Sequence, residues 1–167
     1  MSESVPQLVR LRMPTKPGYV YLLRHVGQHL DDYPNADRLE TTDDRKLLGA
    51  VRPDLLLKQA GISDRPQVRM RILDLRRARR GLGRPSERWS GTVQGTLKEA
   101  DDLFYDAAAS LADEPMANAT SGDTPFHRTY QYLWGQDVTL LPAAERLRLW
   151  DAHMEWLLGR IAILTRP

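Results

Sequence analysis

Residues 7–13 alternate, with Val9, Leu11 and Met13 on one side and Arg10 and Arg12 on the other, the period-2 signature of a half-buried strand. Pro14-Thr-Lys-Pro-Gly18 reads as a turn, and Tyr19–Leu23 is aromatic and branched enough for a second strand. A β-hairpin over 7–23 is therefore expected. A helix from Tyr19 competes with it, since Tyr19, Leu22, Val26 and Leu30 also recur at helical spacing.

Past Asp31-Asp-Tyr-Pro34 the pattern predicts helices throughout. Thr41-Thr-Asp-Asp44 caps a short helix to about Gly49, and Pro53 and Asp54 open another that ends at Gly61. Ser63-Asp-Arg-Pro66 caps a basic helix that stops at Gly81 and Gly83. Val93, Leu97, Ala100, Phe104, Ala108 and Leu111 form the stripe of a longer helix. The small, polar stretch 113–124 reads as a mobile loop. Phe126, Tyr130, Leu133 and Trp134 mark a further helix, and Leu147, Trp150, Met154, Leu157 and Ile161 the last one, with both stripes read as core. The expected fold is mainly α: an irregular bundle of six or seven helices over one domain, 1–167, with the hairpin as its only β element.

Composition narrows the chemistry. The chain has 167 residues and no cysteine, which removes disulfides, thiol catalysis and cysteine-ligated zinc. Neither a signal peptide nor an apolar run long enough to cross a bilayer is present, so a cytoplasmic protein is expected. Charge is what changes the picture. The net charge is only +2, yet nine basic residues fall in the window Arg65 to Arg88 against the two acids Asp74 and Glu87. A concentrated arginine surface attracts phosphate or acidic partners whatever the net charge.

At 100° per residue Arg65, Arg69, Arg76, Arg77 and Arg80 share one arc of a helix, and Val68, Ile72, Leu75, Ala78 and Leu82 fill its flank. Arg84 follows in a glycine-broken tail of the kind that can enter a narrow groove. Leu55 to Ser63 has the look of the first half of a helix-turn-helix, which would make the basic helix the recognition helix. The expected activity is nucleic-acid binding (DNA or RNA) by a regulatory or accessory protein, with no enzymatic activity and no cofactor. Its binding residues would be Arg65, Arg69, Arg76, Arg77, Arg80 and Arg84, on a homodimer if DNA is the target. The alternative is an adaptor or inhibitor that docks the same arginines on an acidic protein.

Other signals are short. His25 and His29 are four apart, but His-Val-Gly-Gln-His lacks the glutamate of a zinc protease, and no metal site is assigned. Arg24-His-Val-Gly-Gln-His29 resembles the motif of HEPN-type ribonucleases, which are helical. The resemblance implies that Arg24 steadies an RNA phosphate and His29 moves the proton. Pro17 to Arg24 is similar to the opening strand of GIY-YIG nucleases, but Leu30 to Leu39 lacks the second glycine-bearing strand that they require. No phosphate loop or nucleophile elbow is present.

Overall fold

The structure is a computed structural model that describes residues 4–12, 18–63 and 68–166. Its six strands and six helices occur in the order β1 (Val5–Arg12), β2 (Tyr19–Leu30), β3 (Tyr33–Leu39), β4 (Leu47–Ala50), α1 (Pro53–Gln59), β5 (Arg69–Asp74), α2 (Leu75–Leu82), α3 (Gly91–Ser110), α4 (Glu114–Ala119), α5 (Arg128–Leu133), α6 (Ala143–Gly159) and β6 (Ile161–Leu164). The fold is mixed α/β around a six-stranded, partly parallel sheet. That overturns the expected helical bundle.

The strands run β5-β1-β2-β4-β6, and β3 joins the far half of β2. β1 and β2 pair antiparallel from Val5 with Val26 to Arg12 with Tyr19, so the expected hairpin pairing is present and the helix from Tyr19 is not. The turn between them falls on residues 13–17, outside the described residues. Two parallel pairings, β1 with β5 and β4 with β6, bring distant segments together.

Alternation builds a core on each face of the sheet. Val9, Leu11, Val20, Leu22, Leu39, Leu47 and Leu73 face α2, α3 and α6, while Leu8, Leu23, Leu48 and Ala50 face the opposite way, onto Leu55, Leu56 and Leu57 of α1. Phe104 of α3 lies at the centre of the larger core, completely buried, with the rings of Phe126, Trp150 and His153 edge-on to it at 5.4–5.8 Å.

Helix α3 also closes an exposed edge. Among the described residues strand β3 pairs only with β2, which leaves outward N–H groups. The Asp37 amide donates to Asp106 at 3.0 Å and the Leu39 amide to Ser110 at 2.9 Å. Strand residues two apart meet helix residues four apart because the rises of the two elements match over that distance.

The overturned segments have physical reasons. Leu47–Ala50, expected to end a helix, is a strand buried at every position, and such a run carries no period. Segment 33–39 carries a proline and two half-buried charged residues, Asp37 and Arg38, so its strand has no alternation to read. The expected basic helix is divided: Arg69–Asp74 is an edge strand beside β1, and only Leu75–Leu82 is helical. Val68, Ile72 and Leu75 mimic a helical stripe across that junction. The stretch 113–124 holds α4, capped by Asp113, whose carboxylate accepts from the Met116 amide. Ile161 belongs to β6 rather than to the last helix.

Candidate nucleic-acid interface

Helix α2 begins directly where β5 ends. Asp74 is its N-cap and accepts from the Arg77 amide at 3.0 Å. Leu75, Ala78, Gly81 and Leu82 are buried against α3 and α6. That leaves Arg76, Arg77, Arg79 and Arg80 on the outer side of a two-turn helix. Arg12, the last residue of β1, stands beside Asp74 in the parallel pairing.

Two grooves adjoin at Arg80. One, of about 410 Å³, is lined by Arg12, Arg76, Arg79 and Arg80, and lies at the carboxyl ends of the parallel strands β1 and β5. The other, of about 530 Å³, is lined by Asp74, Arg77, Arg80, Arg84, Arg88 and Ser90 among others. Each has room for a phosphate with its sugar. Carboxyl ends of parallel strands are where open α/β sheets generally receive ligands.

The arginines are not equivalent. Arg79 is held by Asp151 in a two-pronged pair at 2.7 and 2.8 Å, and Arg12 approaches Asp74 at 3.7 Å. Arg77, Arg80, Arg84 and Arg88 are exposed, and none has an acidic partner among the described residues. Four guanidinium groups around one groove, against the single lining carboxylate of Asp74, give a net positive potential.

The turn that carries Arg84 and Arg88 is fastened from beneath. Arg146 of α6 is buried with no acidic partner among the described residues and donates to the carbonyls of Leu82 at 2.9 and 3.1 Å, Arg84 at 3.0 Å and Leu141 at 2.6 Å. The Trp89 indole N–H donates to the Gly81 carbonyl at 2.6 Å, and the Arg146 guanidinium lies 5.5 Å from the Trp89 ring centroid. These bonds satisfy the carbonyls left open at the end of α2.

Of the six arginines expected from the sequence, Arg76, Arg77, Arg80 and Arg84 come together. Arg69 lies on β5, exposed and away from the groove linings, and Arg65 falls outside the described residues. Arg12 and Arg88 join the group unexpectedly: Arg88 lay in the basic window, whereas nothing in the local sequence of Arg12 signals the parallel pairing that carries it there. The helix-turn-helix reading fails, because β5 stands between α1 and α2. Arg24 and His29 lie on a strand instead of the helix that the ribonuclease motif needs, and Gly27 between them takes φ +85°. The Arg24 guanidinium is committed to Gln7 at 2.6 and 3.0 Å and to Asp106 at 3.3 Å.

A second cluster of titratable groups is structural in character. The His127 Nδ1–H donates to Asp101 at 2.9 Å, and Asp102 bonds Tyr130. Burial pushes Asp101 up to about 6 despite His127, and burial with Asp102 nearby pushes Tyr130 up to about 12. The bond to Asp101 raises His127. The cavity beside them has about 20 Å³ of free space, enough for one water and too small for a substrate. Among the described residues no three His, Asp or Glu side chains converge as metal ligands, and no helix is long and apolar enough to cross a membrane.

No protein-family model matches this chain, and no curated protein matches its sequence. Among solved structures it is similar to the crystal structure of the SatS C-terminal domain in complex with bromine, at 14% identity over 96% of this chain and 94% of that one, with a TM-score of 0.62. At that identity the likeness speaks for the fold alone: a sheet-and-helix arrangement of this kind, spanning nearly the whole chain, is also adopted by a protein of known structure.

Proposed function

We propose that this protein binds nucleic acid by its phosphate backbone, through Arg76, Arg77, Arg80, Arg84 and Arg88 with Arg12 at the margin. The observation that carries the reading is the pair of adjoining grooves at Arg80, in which exposed arginines from a strand end, a helix and a turn line a phosphate-sized space. Polar side chains that project from several elements onto one surface suit an extended polyanion better than a single small anion. The support for this reading is electrostatic, so it concerns affinity and not sequence preference.

Fluorescence anisotropy with labelled single-stranded DNA, duplex DNA and RNA, each across a salt series, tests it. If Arg77, Arg80, Arg84 and Arg88 each neutralise a phosphate, log affinity should fall against log salt with a slope of about −3 to −4. The triple variant R77A/R80A/R84A should lose most of the affinity and flatten that slope. Binding that is absent at low salt, or indifferent to the triple variant, would remove the reading and leave an acidic protein surface as the partner to seek.

A further inference from the structure

Beyond the arginines, α5 places two large aromatic side chains in solvent. Trp134, the C-cap of α5, is 58% exposed, and Tyr132 is 39% exposed. The sequence pattern assigned Trp134 to the core, so its exposure is a departure from an otherwise apolar helix stripe. Burying a tryptophan is strongly favourable, and this one forgoes most of that gain. Both rings are held in place. The Lys98 ammonium lies 4.1 Å from the Trp134 ring centroid, and the Tyr132 ring stands edge-on to Trp89 at 6.3 Å. Upstream, His127 and Tyr130 tie the same helix to α3, through the buried Asp101 and through Asp102.

Tyr132 adjoins the arginine face. The Tyr132 hydroxyl is 3.3 Å from the Ser86 hydroxyl, in the turn between Arg84 and Arg88. Ser90, which lines the second groove, is the N-cap of α3, and Gln94 and Lys98 follow it at one-turn intervals along that helix, with Trp134 over Lys98. The length from Ser90 to Lys98 is about 12 Å at the rise of an α-helix. A strand whose phosphates follow Arg84 and Arg88 passes Tyr132, and one that continues along α3 reaches Trp134 over Lys98.

We infer that the ligand of this surface is a single-stranded nucleic acid, whose phosphates lie along the arginine grooves and whose bases stack on Trp134 and Tyr132. The inference rests on the reading given under Proposed function and adds a substrate class to it. Duplex bases are stacked on one another and present no free π-face, whereas single strands offer one at every nucleotide. A charged groove beside exposed aromatic rings is the combination that sequence-tolerant single-strand binding requires.

The experiment compares three labelled ligands at moderate salt: an oligothymidylate of about a dozen nucleotides, an abasic strand of the same length, and a duplex. The wild type should bind the base-bearing strand about tenfold tighter than the abasic one, the change expected for one or two stacked bases. W134A should erase that difference while leaving abasic binding unaltered, W134F should retain most of it, and R77A/R80A/R84A should weaken all three ligands. Trp134 is exposed, so an unchanged melting temperature certifies the fold of its variants. Equal affinity for abasic and base-bearing strands, tightest binding to duplex, or a W134A loss shared by all ligands would overturn the inference and leave the arginine reading intact. No binding of any ligand at low salt would overturn both.

Discussion

Arg146→Ala should be among the most damaging single changes in the molecule, at a position with no obvious sequence signature. Arg146 sits in α6, 8% exposed, and directs its guanidinium at three backbone carbonyls instead of an acid. A hydrogen bond from a charged donor contributes about 1.5–3 kcal/mol, and a buried carbonyl stripped of its donor costs about 1–3 kcal/mol. Water entering the vacated space would recover part of that loss, so the net cost should be about 3–4 kcal/mol, out of the 5–15 kcal/mol typical of a whole domain. Arg146→Lys should fall between, since a single ammonium cannot span carbonyls on Leu82, Arg84 and Leu141 at once. The two consequences are separable. Urea denaturation followed by tryptophan fluorescence reads stability, while salt-dependent anisotropy on the folded variants reads whether Arg84 and Arg88 still present a joined surface. A loss below about 1 kcal/mol would refute the reasoning, because it would mean that the three carbonyls have adequate partners without the guanidinium.

Three further outcomes are expected. Gly81→Ala should destabilise by up to about 2 kcal/mol: the gain in helix propensity is about 1 kcal/mol, but the new methyl collides with Val93, and overpacking costs about 1–3 kcal/mol. A denaturation midpoint that rises would contradict this. Burial raises Asp106 from 3.8 to about 7 despite Arg24, so the folded state holds this proton more tightly than the unfolded chain. Stability should therefore fall as pH rises from about 4 to about 7, with Asp101 contributing in the same direction. Asp106→Asn should flatten that dependence, and parallel stability–pH curves for the two proteins would count against it. Finally, Asp151→Asn should release Arg79 from its pair, which is exposed enough to cost less than about 1 kcal/mol in stability, and should tighten polyanion binding with a slope steeper by about one phosphate. Unchanged affinity and slope would show that Arg79 does not face the ligand.

The legible elements were those with an uninterrupted period. The α3 stripe from Val93 through Leu97, Ala100 and Phe104 to Leu111 spans about five turns and packs on the core, so spacing alone locates it. Val9 and Leu11 opposite Arg10 and Arg12 gave β1, and Pro53 gave the start of α1. Four-residue strands such as Leu47–Ala50 and Ile161–Leu164 are too short to show a period, and each is held by its neighbours in the sheet: β4 between β2 and β6, and β6 beside β4. The segment from Val68 to Leu82 misled for a different reason: an edge strand running straight into a helix can place apolar residues three and four apart by coincidence.

By itself the sequence determined the charge. Eight arginines between 69 and 88 with two acids must form a positive surface wherever that segment lies, because burying unpaired guanidinium groups would cost too much. What the tertiary structure decided is the shape of that surface. The pairing of β5 with β1 brings Arg12 to α2, the packing of α2 on α3 and α6 turns its arginines outward, and Arg146 fixes the turn that carries Arg84 and Arg88. These are contacts between residues far apart in the chain, and they depend on which elements bury one another, a choice that local hydrophobic periodicity does not encode.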